Sequence, residues 1–130
     1  MIYQDDEEIV DIFVEETEEH LQEIEQGILA IEANREVIDE EMIHSMFRAA
    51  HSIKAGANLL KLKNIEKISH VLENCLQQIR QENIKLESDA VSLFLLGIDK
   101  IRELMGKLEF SDLVDISLLV HQLEKLGKIT

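Results

Sequence analysis

The chain has 130 residues and a formal charge of −14, from 27 Asp and Glu against 13 Lys and Arg. That balance excludes roles that depend on attraction to nucleic-acid phosphates or to an anionic membrane surface, and it suits a partner that presents a basic patch. Hydrophobic residues make up 45% but aromatics only 4%, with no proline and 5 glycines, so the core is aliphatic, the turns are short, and helices lying side by side are the natural solution.

The first pattern runs from about residue 5 to 33, with Ile9, Phe13, Thr17, Leu21, Ile24, Ile28 and Ile31 on one stripe and acidic residues opposite, as an amphipathic helix requires. Asn34-Arg-Glu interrupts it. A second helix is expected from Asp39, whose carboxylate can cap it, to about Leu60. After Asn64, another candidate cap, Ile65, Ile68, Leu72, Cys75, Leu76 and Ile79 define a third helix over about 64–82. The fourth, over about 88–107 and starting at Glu87 or Ser88, carries Val91, Phe94, Leu95, Ile98, Ile101, Leu104 and Met105. A fifth, over about 112–127 and starting at Ser111 or Asp112, uses Leu113, Ile116, Leu119, Val120, Leu123 and Leu126. No segment shows sustained period-two alternation, so no strand is needed.

Short connections between such helices force antiparallel neighbours. The expected fold is therefore all-α: an antiparallel up-down four-helix bundle with an additional C-terminal helix along one side, forming a single domain over 1–130. One cysteine, Cys75, allows no intramolecular disulfide and falls on an apolar stripe. With no signal peptide and no apolar run approaching 18 residues, the chain reads as cytoplasmic.

The most informative stretch is Phe47-Arg-Ala-Ala-His-Ser-Ile-Lys-Ala-Gly56. On a helix, His51 and Lys54 share a face, while Met46, Phe47, Ala50, Ile53, Ala57 and Leu60 form the apolar side. His51 lies near the boundary of the two. A neutral, solvent-facing imidazole is a nucleophile. Gly56 costs a helix interior about 1 kcal/mol relative to alanine, which calls for a reason.

This run resembles the phosphoacceptor motif of histidine phosphotransfer (HPt) domains, most closely that of the N-terminal domain of CheA-type chemotaxis histidine kinases. The likeness continues in Ile68-Ser-His-Val-Leu-Glu-Asn74, similar to the family segment bearing a second histidine and a glutamate. It implies that His51 is phosphorylated, that Lys54, His70 and Glu73 lie beside it in support, and that Gly56 and Arg48 serve partner access. Glu73 is then expected to orient an imidazole or to accept a hydrogen bond from the phosphoacceptor ring. Ala55, Asn58 and Lys61 stand where the family commonly has glycine, and Leu60 where it commonly has an aromatic residue.

The resemblance further implies two partners: a histidine kinase catalytic domain, in cis or in trans, and a response regulator receiver domain whose aspartate takes the phosphoryl group. ATP and Mg²⁺ would be held by those partners, and no cofactor by this domain. No catalytic activity is expected of the domain alone, although it would form part of a histidine protein kinase if joined to one. With neither an HExxH motif nor a paired Cys/His cluster, no metal site is expected; His20, His44 and His121 read as surface residues. Two rivals stand beside this reading: a helical adaptor that binds receiver or kinase domains without being phosphorylated, and a bundle that oligomerises through apolar surface on the fifth helix.

Overall fold

A computed structural model describes residues 7–33, 39–81 and 86–126. In chain order these form α1 (Glu7–Ala33), α2 (Glu40–Leu59), α3 (Lys63–Arg80), α4 (Ser88–Met105), a 3-10 segment (Leu108–Leu113) and α5 (Ser117–Leu126), with no strand among the described residues. Residues 5 and 6, the break at 34–36, and residues 82 and 127 of the expected helices lie outside the described residues.

Each helix forms where its apolar stripe can be buried. On α1, Phe13, Thr17, Leu21, Ile24, Ile28 and Ile31 are buried and Ile9, the first residue of the stripe read from the sequence, is half-buried. α2 packs on α1 and most extensively on α3, α4 closes the ring against α1 and α3, and α5 lies on α3 and α4. The four-helix bundle with an additional C-terminal helix is thus observed. Its centre is filled by Leu21, Ile24, Ile53, Ile68, Leu72 and Phe94, all essentially inaccessible. Arg102 of α4 clasps α1 from outside, donating from Nη1 and Nη2 to Glu25 at 3.1 and 3.0 Å and from Nε to Glu18 at 3.2 Å.

The α2–α3 connection positions the site. Asp39 starts α2 as expected, its carboxylate accepting from the amides of Glu41 at 3.0 Å and Met42 at 3.3 Å. At the other end Leu62 N–H donates to Ala57 C=O at 2.9 Å and Lys61 N–H to Asn58 C=O at 3.1 Å. Lys61 takes the left-handed conformation, φ 63°, and Leu62 is buried against the last turn. This is the Schellman arrangement that usually employs glycine. Because α3 follows immediately at Lys63, α2 and α3 lie antiparallel along their length.

Two expectations at the far end are corrected. Asn64 does not cap α3. Asp112 does so from 48 residues away, accepting from Asn64 N–H at 2.9 Å and Lys63 N–H at 3.3 Å, while Asn64 Nδ2 donates to the carbonyls of Ser111 and Val114, both at 2.8 Å. With Asp112 occupied there, α5 starts at Ser117 rather than near 112, and Asp115 accepts from Ser117 N–H at 2.9 Å. Leu113, assigned to the core stripe, sits on the 3-10 segment with 81% of its surface exposed. On α5 itself Val120 and Leu123 are buried, Leu119 and Leu126 half-buried and Leu118 exposed.

Candidate functional site

Facing positions of the antiparallel α2–α3 pair bring three of the expected residues together. His51 and Lys54 are one turn apart on α2, and Glu73 faces them from α3. One carboxylate oxygen of Glu73, Oε2, lies 2.5 Å from His51 Nδ1, and the other, Oε1, accepts from Lys54 Nζ at 2.6 Å. The Glu73 side chain is 8% exposed, Lys54 24% and His51 58%.

This arrangement determines the state of each group. Burial alone would push the Glu73 carboxyl up, but the hydrogen bonds and charges of Lys54 and His51 outweigh it and hold the group below its ordinary value of 4.5. Glu73 is therefore ionised at neutral pH, and an ionised carboxylate only accepts. The His51 nitrogen facing that carboxylate, Nδ1, then carries the hydrogen, and in the tautomer that results the lone pair lies on Nε2. The site thus presents an oriented nucleophilic nitrogen, with an ammonium one turn away on the same face.

His70 is exposed on α3, one turn before Glu73, and makes no hydrogen bond or ion pair among the described residues. Both Glu73 oxygens are taken by His51 and Lys54, so of the two roles expected for Glu73 the structure shows acceptance from the His51 ring. Arg48 is exposed one turn before His51. Gly56 has a reason inside the chain: a Cβ there would lie 2.8 Å from Cδ1 and from Cε1 of Phe13, so glycine admits the α1 ring against α2. His44 and His121 are exposed and His20 half-buried. Among the described residues no group of three or more His, Cys, Asp or Glu side chains could hold a metal ion, and no helix is long and apolar enough to cross a membrane.

Sequence reasoning missed two participants near this face. Asn58 Nδ2 donates to Glu66 Oε2 at 2.7 Å, bridging α2 and α3 beyond Lys54. Phe13 was assigned to the α1 core stripe, with nothing in that periodicity to show that its ring rests on Gly56.

The surroundings of this constellation match known proteins. The family model of the Hpt domain matches residues 8–109. Curated relatives include the chemotaxis protein CheA of Treponema pallidum, 32% identical over 102 residues, which cover 76% of this chain and 12% of the relative. Another, CheA of Klebsiella aerogenes, is 36% identical over 91 residues, covering 70% of this chain and 14% of the relative. The chain therefore spans only a small part of these relatives' length.

Among solved structures, the CheA phosphotransferase domain from Thermotoga maritima is similar at a TM-score of 0.70 and 36% identity, covering 78% of this chain and 94% of that one. The solution structure of a CheA histidine phosphotransfer domain reaches a TM-score of 0.79 at 31% identity, covering 92% and 91%. The phosphorylated P1 domain of CheA3 in complex with CheY6 from R. sphaeroides shares the fold at 0.77 and 22% identity, covering 95% and 98%. With a family match over most of its length and a bundle shared with these phosphotransfer domains, the chain belongs to the Hpt domain family.

Proposed function

We propose that this domain is a phosphocarrier of chemotaxis-type two-component signalling, in which His51 accepts a phosphoryl group from an ATP-bearing kinase domain and passes it to a receiver aspartate. The observation that carries this reading is the exposed His51 ring whose Nδ1 is held by the ionised Glu73. In the first step the Nε2 lone pair forms the N–P bond to the γ-phosphorus as the P–O bond to ADP breaks, its electrons leaving with ADP. Positive charge develops on the ring, and the Glu73 carboxylate faces it through Nδ1–H. In the second step an aspartate oxygen forms a bond to phosphorus, the N–P bond breaks, and its electron pair returns to Nε2.

In this reading Lys54 offsets charge on the equatorial phosphoryl oxygens, and the exposed Arg48 and His70 serve partner contact. Nucleotide and Mg²⁺ belong to the partner domains in this reading. The neighbour of the same fold in complex with CheY6 supports a receiver as acceptor, and the CheA relatives support a kinase domain as donor.

The test is ³¹P and ¹⁵N NMR of the chain carrying ¹⁵N-histidine, after incubation with a kinase domain and ATP or with phosphoramidate. Phosphorus coupled to Nε2 of His51 is expected. Phosphorus on another residue, or on Nδ1 of His51, overturns the assignment.

A further inference from the structure

Three elements meet at one end of the bundle and leave a groove of about 1000 Å³ between them. The start of α1 contributes Glu7, Val10 and Asp11, the α2–α3 turn contributes Leu60 and Leu62, and the run from Met105 to Phe110 closes the far side. None of these belongs to the triad of His51, Lys54 and Glu73. Leu60 lies nine residues beyond His51, about 13 Å at the rise of a helix.

The far wall is fixed by its own hydrogen bonds. Ser111 Oγ donates to the Leu108 carbonyl at 2.9 Å, and Phe110 N–H donates to the Lys107 carbonyl at 3.0 Å. Asp112, next along the chain, is tied to the first amides of α3. Leu108 packs on the core and Ser111 is buried, so Phe110 is left 59% exposed, whereas Phe13 and Phe94 are buried and Phe47 half-buried. A phenyl ring held outward by an ordered backbone offers apolar area that a ligand covers with little ordering cost.

The rim sets the sign of what can cover it. Glu7, Asp11 and Glu109 are exposed and make no ion pair among the described residues. Lys107, the one cation among the described lining residues, pairs with Glu103 at 3.4 Å. Lys61 and Lys63 of the α2–α3 turn do not line the groove, and Glu66 and Asp112 stand beside them. An apolar floor with an acidic rim accepts a segment whose apolar residues are flanked by Lys or Arg, and repels an acidic one. A helix satisfies its own backbone there, while an extended peptide needs a sheet edge, and no strand exists among the described residues.

We propose that this groove docks a basic amphipathic helix of a partner protein, with apolar anchors at helical spacing on Phe110, Met105 and Val10 and with Lys or Arg facing Glu7, Asp11 and Glu109. The site is separate from His51 and does not depend on its phosphorylation. The net charge of −14 adds long-range attraction for such a helix.

The probe is a fluorescein-labelled peptide of about 14 residues with Leu at i, i+3, i+4 and i+7 and Lys on the remaining face. Its anisotropy is followed against the full chain at about 50 mM and about 500 mM NaCl, where screening differs severalfold. Two control peptides exchange every Leu for Ser or every Lys for Glu. The expected result is saturable one-to-one binding that Phe110→Ser weakens about tenfold. Asp11→Asn with Glu109→Gln should weaken it about fivefold at low salt and little at high salt. Glu15→Gln with Glu16→Gln, which removes the same charge from exposed positions of α1, should change it less than about twofold. Both control peptides should bind at least about tenfold more weakly.

No saturable binding by the native chain overturns the proposal, as do equal binding of the Ser peptide and an equal loss in the Glu15 and Glu16 variant, which report general attraction to an acidic protein. Binding that appears only after Ile2→Ser and Tyr3→Ser assigns the groove to the chain's own first residues. Sedimentation of the native chain as a dimer that Phe110→Ser dissociates assigns it to a second copy. Either result also overturns the proposal. Circular dichroism checks that each variant keeps its helices, and the Asp11 and Glu109 arm decides the matter if Phe110→Ser fails to fold.

Discussion

Replacing Glu73 by glutamine keeps the volume of the side chain and removes its charge. In the native site both oxygens accept from groups that carry or develop positive charge, His51 Nδ1 at 2.5 Å and Lys54 Nζ at 2.6 Å. A hydrogen bond to a charged group is worth about 1.5–3 kcal/mol, and the 58% exposure of His51 places this one at the lower end. Loss of about 1.5 kcal/mol of transition-state stabilisation slows His51 phosphorylation roughly tenfold. The exposed part of the triad limits the cost to folding to about 1 kcal/mol, a fall in Tm of about 3–6 °C for a domain of this size.

The assay is the initial rate of label uptake from phosphoramidate and from a kinase domain, with thermal unfolding followed by circular dichroism. Acid provides an internal check. Because the folded-state pKa of Glu73 is depressed, its contribution to stability is complete above the ordinary carboxyl value of 4.5 and is lost as pH falls through the depressed one. The stability difference between native chain and Glu73→Gln should therefore be constant near neutrality and shrink below about pH 4.5. Native-like labelling by Glu73→Gln, or a stability difference that grows in acid, would rule out this role for Glu73.

Gly56→Ala gains about 1 kcal/mol of helix propensity but places a Cβ 2.8 Å from the Phe13 ring, an overpacking cost of about 1–3 kcal/mol; chemical denaturation should show net destabilisation. In a Phe13→Ala background the same change should stabilise by about 1 kcal/mol, and an unchanged sign would disprove the contact. Lys61→Gly relieves a left-handed backbone at φ 63° and should raise stability by about 0.5–1 kcal/mol in urea unfolding; a loss would mean that the Lys61 side chain matters more than its backbone. Cys75 is 1% exposed, and burial pushes its thiol up from 9.0 to about 12. A raised acid pKa contributes stability below the unfolded value that is lost as pH rises through the folded one, so unfolding should become easier between pH 9 and 12. A thiol reagent at pH 8 should label Cys75 only after denaturation.

The four bundle helices were legible because each has a stripe long enough to average out exceptions, and burial of Leu21, Ile24, Ile53, Leu72 and Ile98 follows that periodicity. The start of α5 was not, for a physical reason. Asp112 and Asp115 are both plausible caps by local rules, and what separates them is a contact between Asp112 and the first amides of α3, distant in sequence. Leu113 then looked like the first core residue of a helix that begins at Ser117.

The candidate site divides in the same way. The spacing of His51 and Lys54 is local and was readable as a shared face. That one carboxylate, Glu73, would take both of them, leaving His70 outside the hydrogen-bonded triad, depends on the register between α2 and α3, which a one-dimensional pattern does not encode. Gly56 was conspicuous as a helix-interior glycine, and only the packing of α1 shows Phe13 against it.

Passage of a phosphoryl group through His51 can be followed in a two-stage transfer. The native chain and His51→Gln are incubated with a kinase domain and γ-labelled ATP, separated from nucleotide, and mixed with a receiver domain. Label is expected on the native chain alone, stable in alkali and labile in acid, and it should move to the receiver aspartate on mixing. Equal labelling of His51→Gln, or label on the native chain that no competent receiver removes, would contradict passage through His51.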